Sequence, residues 1–125
     1  MRLLLDTHIF LWVATDSVKL GAEARRILES ADAVYVSAAS IWEIAIKARL
    51  GKIDAEPDCF SNAIEACGFV ELPVLARHGV KVASLPLLHR DPFDRLLVAQ
   101  AMVEPMRLVT ADAHLKAYSE LVVVV

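Results

Sequence analysis

Residues 3–8 read LLLDTH, three leucines that stop abruptly at the carboxylate Asp6. With Arg2, the leucines form a short apolar run of strand length, so Arg2–Leu5 reads as a buried strand. Thr7–Ala14 follows as a helix rich in large apolar side chains. A carboxylate where a strand leaves the core is costly unless something compensates its charge. What the fold brings beside Asp6 therefore decides how the chain is read.

Working outward, GAEARRILES (Gly21–Ser30) has the spacing of an amphipathic helix, and AVYVS (Ala33–Ser37) reads as a second strand. The helix Ala38–Leu50 should end at Gly51, and the helix Pro57–Cys67 at Gly68. Phe69–Leu72 reads as a third strand and Val74–Ser84 as a helix interrupted by Gly79. LPLLHRD is a loop, and Pro92 opens a helix to about Val103. Arg107–Val109 reads as a fourth strand, Asp112–Tyr118 as a short helix and Leu121–Val125 as a final strand. Strands alternating with helices imply an α/β fold, with a mainly parallel β-sheet flanked by helices on both faces. No repeat or linker divides residues 1–125, so one domain is expected, burying roughly two thirds of its unfolded surface.

Hydrophobic residues make up 57% of the chain and charged residues 23%. The apolar share exceeds the roughly 45–50% of ordinary soluble domains, which suits a subunit interface. Asp6 and His8 break the apolar N-terminal run, so neither a membrane span nor a signal peptide is expected. Cys59 and Cys67 lie eight residues apart in a helical pattern, about 12 Å of rise, too far for a disulfide. A cytoplasmic location fits. The net charge of −3 is not that of a strongly basic nucleic-acid binder, but acids gathered for a metal would lower the total.

In a parallel α/β sheet every strand-to-helix junction lies along one edge, outside the carboxyl ends of the strands. Asp6, Glu43 and Asp112 sit at such junctions, while Asp94 opens the helix of DPFD behind a loop. Each has an ordinary explanation. Ser40 and Glu43 match the capping box S-x-x-E, Asp91 with Pro92 and Asp94 is a normal helix start, and Asp112 favours a helix dipole. Together they are harder to dismiss, because unit charges 4 Å apart repel by about 4 kcal/mol at an effective dielectric of 20. Carboxylates without a Cys/His cluster favour a hard ion such as Mg²⁺ or Mn²⁺.

The segments LLLDTHIFLW, VSAASIWEIAIKARLGK, HRDPFDRLLVAQA and LVTAD, in this order, resemble the PIN-domain family, particularly VapC-type toxins of bacterial toxin–antitoxin pairs. The resemblance runs from Met1 to about Tyr118. It implies that Asp6, Glu43, Asp94 and Asp112 form a catalytic, metal-holding quartet in a Mg²⁺-dependent endoribonuclease, with Mn²⁺ a second candidate ion. It also implies RNA as substrate, a VapB-type antitoxin as partner and a homodimer. Asp94 is preferred over Asp91, which reads as a cap with a secondary role towards the metal, and Thr110 matches a small hydroxyl residue supporting the fourth acid.

Lys47, Arg49, Lys52, Arg90 and Arg95 are candidate RNA-phosphate contacts, although Lys47, four residues after Glu43, has an intrahelical ion pair as its default. His8, His78, His89 and His114 show no zinc spacing and read as surface or packing residues. Trp12 and Trp42 read as core or interface. Two further readings remain: a PIN nuclease of RNA processing that is not a toxin, and a Mg²⁺-binding receiver-like signalling module. The receiver lacks support, since Asp6 is followed by Thr7 and no Lys follows the last strand. A D-x-D phosphohydrolase fails at His8.

Overall fold

The leucines of the opening stretch become the central strand of the sheet. The computed structural model describes Met1–Val125, in the order β1 (Arg2–Leu5), α1 (Thr7–Ala14), α2 (Ala22–Ser30), β2 (Ala33–Ser37), α3 (Ala38–Arg49), α4 (Pro57–Ala66), β3 (Val70–Leu72), α5 (Ala76–Val82), α6 (Pro92–Val103), β4 (Arg107–Thr110), a 3₁₀ helix (Ala113–Tyr118) and β5 (Val122–Val124). The five strands lie in the order β3-β2-β1-β4-β5, and every pairing is parallel. The sheet expected to be mainly parallel is wholly so.

Alternation of side chains along β1 divides the core in two. Leu3 and Leu5 face Ile9, Phe10, Ile44 and Phe60 from the helices of one layer. Leu4 faces Leu97 and Val98 of α6 and Leu115 of the 3₁₀ helix in the other. All three leucines are fully buried, so β1 cannot slide without moving apolar groups out of both layers.

From β1 the chain builds outward to β2 and β3, then returns to the other side for β4 and β5. β1 and β4 therefore flank the switch point, where a crevice opens beyond the strand ends. Leu5 pairs with Val36 on one side and Val109 on the other, which brings Asp6, Ser37 and Thr110 to one level.

Several expected boundaries shift by a residue or two, for local reasons. Phe69 belongs to the end of α4 rather than to β3, because its N–H donates to Ile64 O at 2.9 Å across Gly68, whose φ is +77°. This is a Schellman ending. The helix expected over Val74–Ser84 is confined to Ala76–Val82. Buried His78 turns its ring back to accept the Leu75 N–H at Nδ1, 2.9 Å away, so Leu75 becomes the cap. Asp112 caps the 3₁₀ helix instead of lying inside a helix, with its carboxylate accepting the His114 N–H. Cys59 and Cys67 are free and exposed.

Two glycines should respond to alanine with opposite signs. A Cβ would meet nothing within 4 Å at either Gly68 or Gly79, but only Gly68 has positive φ. Gly68→Ala should therefore cost about 1–2 kcal/mol through backbone strain. Gly79→Ala, within α5, should stabilise by about 0.4–1 kcal/mol. Urea denaturation of the two variants checks both signs.

Candidate active site

Asp6 leaves the core with its backbone still tied to the sheet, its N–H donating to Val109 O at 2.9 Å. Its side chain is only 5% exposed, and Oδ2 accepts the hydroxyl of Thr110, the last residue of β4, at 2.5 Å. Thr110 also accepts the Asp112 N–H at 3.0 Å. One hydroxyl thus links the first acid to the backbone of the fourth.

Glu43 reaches the same edge from the second turn of α3 and is buried. The capping-box explanation does not hold. The N-cap is Ser37, whose hydroxyl accepts the Ala39 N–H at 3.1 Å. Ser40 and Glu43 instead share Thr7, whose hydroxyl lies 2.9 Å from Ser40 Oγ and 2.7 Å from Glu43 Oε1. Glu43 Oε2 accepts from Lys47 Nζ at 2.6 Å, one turn further along α3. A carboxylate oxygen carries more than one acceptor site, so Glu43 is held at both oxygens and can still face a cation.

Asp94, whose convergence the sequence pattern left least secure, lies with the others. α6 begins where Asp91 caps it, accepting the Phe93 and Asp94 N–H groups at 2.8 and 3.3 Å. This turns Asp94 towards Asp6 and Glu43. Asp6, Glu43, Asp94 and Asp112 line a single open cavity of about 280 Å³, together with Asp91, His8, Trp12, Lys47 and Ala111.

Burial and crowding mark these acids electrostatically. Burial, followed by the charges of Asp6, Asp91 and Glu43, pushes the Asp94 carboxyl up to about 7. Burial likewise raises Asp6, although the Thr110 hydrogen bond and His8 oppose the shift. Burial also works against ionised Asp112, but hydrogen bonds from His114 and His89 outweigh it and hold that carboxyl below its usual range. Burial disfavours the charge on Lys47, while the bond to Glu43 and the charges of Asp91 and Asp94 more than restore it. A lining with five carboxylates, two of them raised by burial and mutual repulsion, fits a hard divalent cation, which would replace protons and repulsion with attraction.

Thr7, Ser40 and His89 were not singled out by sequence as site residues. Thr7 adjoins Asp6, and Ser40 lies three residues before Glu43 on the same helix face, so both carried a weak signal. His89 had only its nearness to DPFD. It now lies 3.2 Å from Asp112 Oδ2 and 3.6 Å from Asp94 Oδ2. Trp42 is 63% exposed and therefore not core, packed edge-on against Phe93 at 5.2 Å. Trp12 is half-buried at the cavity wall.

The candidate phosphate contacts divide as well. Arg49, Lys52 and Arg90 are exposed, and Lys47 has its expected ion pair. Arg95 instead turns into the structure, donating to Pro86 O, Val82 O and the Tyr118 hydroxyl. Its guanidinium braces the loop before α6, so Arg95 is removed from the phosphate-contact set.

A parallel α/β sheet with carboxylates crowded at its switch point defines a class of acid-lined, metal-suited sites. Residues 3–121 match the PIN domain model, and the chain belongs to the PIN domain family. It is 31% identical to Ribonuclease VapC22 of Mycobacterium tuberculosis over 120 residues, covering 92% of this chain and 90% of that protein. Among solved structures it resembles a toxin–antitoxin complex from Klebsiella pneumoniae, with a TM-score of 0.67, 18% identity and coverage of 96% of this chain and 94% of the other. It also resembles VapBC2 from Rickettsia felis bound to a DNA fragment from their promoter, with a TM-score of 0.64, 16% identity and coverage of 100% and 98%. The two structural likenesses speak for the fold alone.

Two predictions follow from this geometry. Since Asp94 is raised from 3.8 to about 7, the folded state binds more protons than the unfolded chain between those values, and metal-free stability should fall as pH rises across that window. Melting temperature in EDTA should show this slope, Asp94→Asn should flatten it, and Mn²⁺ affinity should rise over the same range. A flat wild-type profile would count against the crowded site.

Asp91 and Asp94 should also separate by readout. Asp91→Ala loses a helix cap and should cost about 0.5–2 kcal/mol while keeping most of the Mn²⁺-induced rise in melting temperature. Asp94→Ala should lose that rise and keep the fold, as thermal melts with and without Mn²⁺ would record.

Proposed function

We propose that this chain is a divalent-metal-dependent endoribonuclease acting as the toxin of a VapBC-type pair, in the cytoplasm. The observation that carries the reading is the convergence of Asp6, Glu43, Asp94 and Asp112 on one cavity at the switch point of a PIN-family sheet. The likeness to a named VapC ribonuclease supports RNA as substrate, and the toxin–antitoxin complexes among the structural neighbours support a VapB-type antitoxin as partner.

In this reading Asp6, Glu43, Asp94 and Asp112 hold Mg²⁺, or Mn²⁺ in its place. The ion would supply a more acidic water and stabilise charge on the phosphate during phosphodiester hydrolysis. Thr110 sets the rotamer of Asp6, while Thr7 and Lys47 hold Glu43 by its two oxygens. Lys47 also offsets part of the acidic charge when no ion is bound. Arg49, Lys52 and Arg90 would meet the RNA backbone through screened charge attraction. A homodimer belongs to the same reading, with the apolar surface around Trp42, Ile46 and Phe93 as its support.

An RNA-processing nuclease without toxicity would use the same chemistry. The receiver-like alternative fares worse, because receiver modules order their strands 2-1-3-4-5, whereas this sheet runs 3-2-1-4-5.

Asp6→Asn gives the test, since it removes a charge with little change of shape. Purified wild-type protein should cut RNA only with a divalent ion and should arrest growth when expressed without an antitoxin. Folded Asp6→Asn should do neither. Cleavage retained by the variant would overturn the metal mechanism, and metal-dependent cleavage without growth arrest would overturn only the toxin assignment.

A further inference from the structure

The carboxylate of Asp112 differs in its support from the other acids. It sits on the cap of a 3₁₀ helix and is a third exposed. Its Oδ1 is taken by the backbone and ring of His114, a side chain itself 86% exposed. Only one contact comes from across the cavity, from His89.

The His89 ring is oriented by backbone on one side and carboxylates on the other. The Asp91 N–H donates to its Nδ1 at 3.1 Å, and a nitrogen that accepts this bond carries no proton. The ring proton therefore lies on Nε2, 3.2 Å from Asp112 Oδ2 and 3.6 Å from Asp94 Oδ2. The loop carrying His89 is itself fastened. The Leu88 and His89 N–H groups converge on the buried Tyr118 hydroxyl at 3.2 and 2.8 Å, and Arg95 reaches the same oxygen. Tyr118 closes the 3₁₀ helix that Asp112 opens, so ring and carboxylate are fixed to each other at two points.

We propose that His89 is a positioning residue of the carboxylate site: held by the Asp91 N–H at Nδ1, it donates from Nε2 to Asp112 and sets this outermost acid beside Asp94 to face one cation. Its Nε2, Asp94 and Asp112 lie close enough to suggest a mixed nitrogen–oxygen metal site, with candidate ligand atoms within 4.8 Å of one another. The Asp91 N–H argues against that assignment, because a protonated Nε2 has no lone pair to give a metal. His89 thus acts through Asp112 rather than on the ion. Partners of this kind, hydrogen-bonded to ligating carboxylates, typically change metal affinity or activity by about 10–100-fold when removed.

The inference rests on the reading of the quartet as a metal site, and binding can be measured apart from RNA cleavage. In metal-stripped protein, His89→Ala should weaken Mn²⁺ binding at least about tenfold by calorimetry. His89→Gln, which retains an N–H donor at similar reach, should restore affinity to within about threefold of wild type. Ring ¹⁵N shifts of the unaltered protein give a measurement independent of any variant's folding. They should show His89 as the Nε2–H tautomer, both metal-free and with Mg²⁺. An Nδ1–H tautomer in the metal-free protein, unchanged Mn²⁺ affinity in folded His89→Ala, or no Mn²⁺ binding by wild type would overturn the proposal. Wild type that binds Mn²⁺ but leaves RNA uncut would overturn the nuclease reading alone.

Discussion

The site is organised around the cost of holding buried carboxylates near one another. Asp6 is carried to the centre of the edge by a strand whose leucines are sealed into both core layers, so it cannot retreat to solvent. Glu43 and Asp94 arrive from helices packed against the same sheet. At an effective dielectric of 20, each close pair of ionised acids repels by about 4 kcal/mol at 4 Å, several times the worth of a helix cap. The neighbouring polar groups can be understood as responses to this repulsion. Thr110 donates to Asp6, Thr7 and Lys47 to Glu43, and His89 to Asp112.

The compensation is uneven. Glu43 has both oxygens engaged and Asp112 accepts several hydrogen bonds. Asp94 has no comparable donor within hydrogen-bonding distance, and it is the acid pushed furthest up, to about 7. A cation would relieve Asp94 most. The acid least stabilised by the protein is thus the one best placed to gain from an ion, which matches the needs of a site built to bind one.

Local capping and site geometry are served by the same residues. Asp91 starts α6 and thereby aims Asp94, while its N–H sets the tautomer of His89. Asp112 starts the 3₁₀ helix that ends at Tyr118, the residue that fastens the His89 loop. The dual roles explain why ordinary helix-start signals and site residues overlap in this chain. Seen singly, Asp91 and Asp112 are caps. Seen together, they are the joints of the cavity wall.

Most of the architecture was legible in the sequence because it depends on short-range signals. The apolar run of β1, the closing glycines at 51 and 68 and the Pro92 helix start lie within a few residues of what they control. The alternation of strands and helices implied parallel pairing, and that pairing placed Asp6, Glu43 and Asp112 along one edge. Tertiary structure alone decided the rest. Asp94 joins the site because the packing of α6 carries the first turn of that helix to the cavity. Ser40 and Glu43, inside a helix that Ser37 caps, are free to share the Thr7 hydroxyl, which the fold brings from 33 residues before Ser40. Arg95 turns inward because Tyr118 and two carbonyls accept its guanidinium, and His89 becomes a site residue through contacts with acids on either side of the cavity. Sequence spacing encodes helix faces and strand ends, but hydrogen bonds between distant elements exist only once the sheet order has brought them within about 3 Å.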